Sequence, residues 1–307
     1  SQIRFLRKKN ISMGNKRFSS KRIHSYSFTT LFSYTVLTIW AITTIYPFVW
    51  VLINSFRVKG QIRSDSFSIP WPWLDSFTLD NYSTAFERSN VFRAYGNSLI
   101  ISIVVTLFVS LFAGFAAYGL VRYSFRGKEI LHSLIIASMM FPVFSTIIPV
   151  YRMEVHWGIA STGKLPLSLL STILPQIAGN LSFAIVVLMG FIQSIPIDLE
   201  ESAFIDGCNV FQIYFRIILP VAKPSFATVA IFTFLWSYND LFTQMFFLRR
   251  PKERTITLLL NEINSQAGVN YGLMAAAVVI VVVPVLVVYV LLQKNIIKGM
   301  VAGAIKG

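Results

Sequence analysis

Four carboxylates, Asp198, Glu200, Glu201 and Asp206, crowd one short stretch that closes on Gly207 and runs on to Arg216-Ile-Ile-Leu219-Pro220. Paired carboxylates can act as general acid and base, but no His lies beside Glu200, Glu201 or Asp206, and a solvated or partner-facing surface is the better reading. His24, His132 and His156 are scattered, with no spacing that sets two on one helix face as metal ligands, and the sole cysteine, Cys208, excludes an intrachain disulfide and a Cys-based metal site. Gly158-Ile-Ala-Ser-Thr-Gly163-Lys164 has the spacing of a phosphate-cradling loop, yet Leu165 stands where a Mg²⁺-binding Ser or Thr belongs. A Gly-punctuated connection is expected there instead.

A second polar constellation surrounds Asp240, the only charge between Lys223 and Arg249. Ionisable groups inside membrane segments usually face a cavity or a partner. Trp236-Ser-Tyr238-Asn239-Asp240 offers aromatic faces and hydrogen-bonding groups suited to sugar hydroxyls. Two roles stay open for Asp240: lining a substrate path, or pairing with an Arg of a neighbouring subunit. Asn97, Gln176 and Asn180 are further path candidates, against the alternative that lone polar residues bond neighbouring helices.

The elements that must position these groups follow from composition. The 307 residues are 55% hydrophobic and 13% charged, with a mean hydropathy of +0.64, more apolar than a soluble fold of this length carries. Windows free of Asp, Glu, Lys and Arg lie between Arg22 and Arg57, Arg93 and Arg122, Glu129 and Arg152, Lys164 and Asp198, and Glu262 and Lys294. With the Asp240 segment they predict an all-α membrane protein of six spans, over about 28–56, 94–121, 130–151, 168–193, 224–248 and 271–293.

Basic residues set the orientation. With the N-terminus inside, the cytoplasmic segments hold the larger share of Lys and Arg, led by the Arg4 to Arg22 cluster. Both termini (1–27 and 294–307) and a loop over 194–223 are then expected in the cytoplasm. The first 27 residues lack the apolar core and cleavage site of a removable signal peptide, so the first span is expected to be retained. The net charge of +14 is spread over loops rather than gathered in one stripe, which argues for a lipid surface and against nucleic acid. Outside, Arg57 to Arg93 carries Pro70-Trp-Pro-Trp73, and Arg249 to Asn270 reads as a polar loop open to an external partner. A tight turn at Ser124 to Gly127 predicts a helical hairpin of spans two and three.

Within the 194–223 loop, Pro196 can start a helix, Asp198 can cap it, and Glu200 and Glu201 sit in its first turn, where the dipole favours negative charge. Gly207 ends or bends that helix. Phe211, Tyr214, Phe215 and Ile218 recur at three and four, predicting an amphipathic stripe that Pro220 terminates. Its apolar side has two outlets, lipid headgroups or a groove of a cytoplasmic subunit.

Glu201-Ser-Ala203, Gly207 and Ile217-Ile-Leu219-Pro220, with Asp206 in place, resemble the EAA loop of ATP-binding-cassette importer permeases, departing at Ser202 and Cys208. Asn97-Ser98, Ala117-Tyr118 before Arg122-Tyr-Ser-Phe-Arg-Gly127, Pro142, Pro149-Val-Tyr151 and the closing Lys298 to Gly307 are similar to maltose-type carbohydrate permeases, in their shorter six-span form. The resemblance implies a type I importer permease fold in a bacterial inner membrane. It also implies a second homologous permease, two copies of a cytoplasmic ATPase and an extracellular or periplasmic sugar-binding protein as partners. This chain is then no enzyme and holds no cofactor, ATP and Mg²⁺ belonging to the ATPase. Glu200, Glu201, Ala203, Asp206, Gly207, Phe211, Phe215, Leu219 and Pro220 are the expected coupling residues, with Ala203 and Gly207 allowing close approach of the partner. The alternatives are a free-standing secondary carrier or channel, whose internal repeats and paired intramembrane charges are not evident, and an importer of another small solute.

Overall fold

The computed structural model describes residues 28–88, 90–268 and 270–304; the expected N-terminal tail lies outside them. The chain divides into two units, residues 1–49 and 50–307. What is described of the first unit belongs to helix α1, Phe28–Asn54. Its Thr35, Thr43 and Thr44 hydroxyls donate to the carbonyls of Leu31, Ile39 and Trp40, four residues earlier, so these polar groups need no water.

The second unit continues with α2 (Asp80–Arg88), α3 (Val91–Arg122), α4 (Lys128–Ser138), α5 (Val143–His156), α6 (Leu165–Gln193), α7 (Asp198–Ile205), α8 (Val210–Val221), α9 (Lys223–Asn239), α10 (Phe242–Phe247), α11 (Ile256–Ala267) and α12 (Tyr271–Ala304). Among the described residues there is no strand, only an isolated bridge between Arg57 and Phe77.

Three helices, α1, α3 and α6, are each long and apolar enough to cross a bilayer unbroken. The expected spans 130–151 and 224–248 are interrupted. The first is the pair α4 and α5, bent by 103° across Met139 to Pro142, where Pro142 holds an extended ψ of 129° and has no N–H to continue a helix. The second stops at Asn239, takes an extended turn at Asp240 and restarts as α10. Helix α12 has an apolar stretch over Tyr271–Val287 and runs on to Ala304, so most of the expected C-terminal tail continues the helix.

One core cluster forms where α3 meets α6 and α9. Ile101, Val105, Val109, Ala113 and Ala117 recur every four residues along α3, and Ala184, Leu188 and Ile192 do so along α6; all are fully buried. Ridges of i±4 spacing interlock this way, and small residues let the backbones approach where lipid supplies no hydrophobic drive. Gly114 marks the tightest point. A Cβ there would stand 2.8 Å from Phe226 Cζ and closer still to the Tyr214 hydroxyl.

The expected hairpin of spans two and three does not form as drawn, because α4 packs on α6 while the inner face of α3 is taken by α6 and α9. The Arg249 to Asn270 segment is likewise less open than its polarity implies. Ile256, Leu259 and Ile263 of α11 are buried in a second cluster with Tyr238, Leu273 and Ala277. In the Arg57 to Arg93 segment, the buried Arg57 guanidinium donates to the Asp65 carbonyl and to Ser68, and Asn81 Nδ2 donates to the carbonyls of Ser55 and Arg57. Trp71 and Trp73 stack face to face, 5.2 Å apart, and remain exposed.

Candidate functional site

The polar loop folds as α7, a Gly207 corner and α8. Asp198 is the first residue of α7 rather than its cap; the preceding Ile197 is itself helical, and no side chain caps this end. The far end closes as a Schellman motif, Gly207 N–H bonding Phe204 O and Cys208 N–H bonding Ala203 O, both at 3.0 Å. Gly207 needs φ +83°, and a Cβ there would meet only open space, so within this chain the glycine is required by the backbone turn and not by packing. Asn209 and Gln212 then form a reciprocal capping box that starts α8.

The carboxylates divide. Glu201 and Asp206 are exposed, but Glu200 is buried. Its Oε1 accepts from Arg122 Nε at 2.5 Å and its Oε2 from the Tyr118 hydroxyl at 2.9 Å, while Arg122 also donates to the Ile195 carbonyl at 2.8 Å. Glu200 is therefore not partner-facing. It pins α7 to the end of α3. Ala203 is buried in this chain's own core, so its small size serves internal packing rather than approach of a partner.

The stripe of α8 is also divided. A π turn over Tyr214–Ile218 widens the helix, burying Tyr214 and Ile218 while Phe215 and Phe211 stay outside. The helix of the stripe ends at Val221, one residue past the stop expected at Pro220; Leu219 is half-buried, Pro220 exposed, and α9 follows after Ala222 at a bend of 77°. The outward face of the loop carries Phe204, 68% exposed, Ile205, 85%, and Phe211, 68%. The sequence gives no signal for Phe204 and Ile205, two apolar residues beside a charged cluster in one short helix, whose exposure only the packing reveals.

A second feature is a cavity of about 980 Å³ between α5, α6, α9 and α10. Gln176, Asn180, Trp236, Asn239 and Asp240 line it, which brings together five of the polar and aromatic residues proposed for a path. Asp240 sits at the break between α9 and α10. Its Oδ1 accepts from the Thr243 N–H at 3.1 Å, capping α10, and its Oδ2 accepts from Gln176 Nε2 at 2.9 Å. Asn180 and Asn239 bond the carbonyls of Gln176 and Leu235 in their own helices.

Two path candidates fall elsewhere. Tyr238 is buried in the second cluster with its hydroxyl unpartnered. Asn97 is buried and donates to the carbonyls of Lys252 and Arg254, tying α3 to the turn before α11. Tyr238 turns from the cavity because the helical step from Ser237 and Asn239 carries it to another face, and Asn97 lies on α3, which supplies no residue to the cavity wall. The wall also includes Glu154, whose basic and aromatic neighbours in sequence, Arg152, His156 and Trp157, give no sign of a buried carboxylate.

Gly158 to Lys164 is a connection between α5 and α6, with Gly158, Ser161 and Gly163 at positive φ. The Arg250 guanidinium fills the space above Gly163, with NH2 2.6 Å from where a Cβ would stand. No strand precedes it, and it has no phosphate-cradling geometry.

Residues 106–301 match the family described as binding-protein-dependent transport system inner membrane component. The chain is 32% identical over 266 residues to the diacetylchitobiose uptake system permease protein NgcG of Streptomyces coelicolor, covering 86% of this chain and 85% of that one. It is 32% identical over 281 residues to the galactooligosaccharides transport system permease protein GanQ of Bacillus subtilis, covering 90% and 95%. Among solved structures, a chain of a bacterial ABC transporter involved in the import of the acidic polysaccharide alginate superposes with a TM-score of 0.72 at 20% identity, over 88% of this chain and 97% of that one.

Proposed function

The chain belongs to the family of binding-protein-dependent transport system inner membrane components, and on that premise we propose that it is the permease subunit of an ATP-driven importer of a sugar or oligosaccharide. It is a multi-pass membrane protein and a transport subunit rather than an enzyme. Six segments cross the membrane in this reading: α1, α3, the α4 and α5 pair, α6, α9 with α10, and α12. Both termini and the 194–223 loop face the cytoplasm, as the distribution of Lys and Arg favours.

The observation that carries the reading is the loop itself, with exposed apolar side chains Phe204 and Ile205 on α7, which the Glu200–Arg122 ion pair holds, and Phe211 on the adjoining α8. An exposed patch on a rigid mount is what a moving partner needs. The partners are a homologous permease, two copies of a cytoplasmic ATPase that hold ATP and Mg²⁺, and an external binding protein. Closure of the ATPases displaces α7 and α8. Because Glu200 is tied to α3, and α3 packs along α6 and α9, the displacement reaches the helices around the cavity and switches the side to which it opens.

The sugar cargo is supported by relatives named for oligosaccharide uptake over most of this chain. The test is uptake of radiolabelled raffinose, galacto-oligosaccharide and chitobiose by cells with and without the chain, alongside a mild-detergent pull-down. Loss of one uptake activity on deletion, with an ATPase and a second permease recovered in the pull-down, is the expected result. Unchanged uptake of all three would overturn the sugar cargo, and recovery of a transport-active chain alone would overturn the importer.

A further inference from the structure

Glu154 lies in the last turns of α5, is 1% exposed, and its Oε2 has no hydrogen-bond partner. A buried, unpaired carboxylate is costly in any low-dielectric setting, and a structural role would have supplied it with a donor, as Arg250 N–H and Ser168 supply Glu253. Glu154 is instead a wall residue of the 980 Å³ cavity, and the other charged wall residue is Asp240. No Lys, Arg or His belongs to that wall among the described residues. Asp240 is hydrogen-bonded only to neutral donors, and neither carboxylate forms an ion pair among the described residues. The remaining lining is uncharged, a mix of neutral polar groups such as Gln176, Asn180 and Asn239 with apolar and aromatic ones including Phe144, Trp157 and Trp236, which leaves the negative field without a counter-charge from this chain.

We propose that Glu154, acting with Asp240, gives the cargo path a negative lining that admits neutral and amino-bearing saccharides and turns away acidic ones. Hydroxyl or ammonium donors of such a cargo meet the half-buried Asp240, Glu154 acts from behind the wall through its field, and the aromatic walls meet the cargo's ring faces. A uronate brought into the same cavity meets two like charges with little solvent to screen them. The fold is thus shared with a permease of an alginate importer while the charge of the cargo is not. The cargo half of this inference rests on the sugar-importer reading; the negative lining does not.

The experiment reads the field directly. In the assembled importer in native membranes, with the sole cysteine removed by Cys208→Ser, Asn239→Cys places a thiol on the cavity wall. Its modification by a cationic (trimethylammonium) and an anionic (sulfonate) methanethiosulfonate of similar size is followed by the mass of this chain and normalised to a free thiol in solution. We expect a cation preference of about tenfold, which shrinks toward unity in Glu154→Gln and in Asp240→Asn and weakens as salt is raised. No modification by either reagent, or a normalised ratio at or below one, would overturn the negative lining, the latter by showing that a basic group of the sister permease neutralises it. For the cargo, neutral and uronic oligosaccharides of equal length are compared as stimulants of ATPase activity. Stimulation by the neutral sugar alone, extended to the uronic one in Glu154→Gln, supports the selectivity. Equal stimulation by both in the unaltered chain sinks it while leaving the importer reading standing, and the loss of any sugar response sinks that reading while leaving the field measurement intact.

Discussion

Arg122, the last residue of α3, holds Glu200, in the first turn of α7, through an Nε to Oε1 bond of 2.5 Å, with both side chains about nine-tenths buried. Tyr118, one turn earlier on α3, secures the second carboxylate oxygen. The loop that meets the ATPase in our reading is thereby an extension of a core helix rather than an appendage. Force applied to α7 has a short, rigid route into the membrane domain.

Removing one partner of this pair leaves a buried charge unpaired. Arg122→Met and Glu200→Met should each destabilise the protein by about 3 kcal/mol, and the double variant by clearly less than their sum. Thermal unfolding of the purified complex measures this. Additive losses would mean that the ion pair does not couple the two elements.

At Gly207 the difficulty for other residues is backbone conformation, since the space around it is open. Gly207→Ala should cost about 1–2 kcal/mol of local stability, Gly207→Asn less, and Gly207→Val more, with transport falling in the same order. Gly207→Asp accepts the turn nearly as well as Asn but puts a charge into the open space where the ATPase docks in our reading, and should leave the protein inserted but unable to transport. If Val is tolerated as well as Asn in uptake assays, the positive φ is not what the loop requires.

The exposed face predicts a separation of folding from assembly. Phe211→Ser and Phe204→Ser remove side chains that pack on little of this chain, so insertion and thermal stability should hold. Each should weaken ATPase binding by about 2 kcal/mol, roughly 30-fold. Co-purification titrated against ATPase concentration reads the effect, and undiminished binding in both variants would remove this face from the interface.

Asn97 and Asn239 provide a contrast between two residues that look alike in sequence. Asn97→Ala unties α3 from the carbonyls of Lys252 and Arg254, and should cost about 1–3 kcal/mol of stability without altering discrimination among sugars. Asn239→Ala, on the cavity wall, should raise the half-saturating sugar concentration with little change in stability. Reversal of these two phenotypes would relocate the path.

Gly114 offers a test of the core. Gly114→Ala drives a methyl group into Tyr214 and Phe226 and should destabilise by about 1–3 kcal/mol. Tyr214→Phe deletes the nearest atom and should recover part of the loss in the double variant. No recovery would place the strain at Phe226.

Much of this architecture was legible from patterns along the chain. Charge-free windows mark α1, α3 and α6 to within a few residues, because burying an unpaired charge in lipid is expensive whatever the tertiary context. The Glu201 to Pro220 spacing locates the loop, and the glycine needed at its corner follows from local backbone sterics. The kink at Met139 to Pro142 and the stop at Asp240 were not legible, since an apolar composition is the same for a straight span and a broken one.

What the sequence determined by itself is the solvent and the kind of protein: an apolar, helical, lipid-embedded chain with one polar loop of recognisable spacing. Which neighbour each polar group meets follows from helix packing and not from local pattern. Neighbours in sequence, Glu200 and Glu201, part company because the rotation of roughly 100° between consecutive helical residues carries one toward α3 and the other into solvent. Distant residues, Glu154 and Asp240, are brought to a single cavity because α5 and the broken α9–α10 segment both pack on α6. Side-chain direction on a helix is local, but what it points at is set by the packing of helices far apart in the chain.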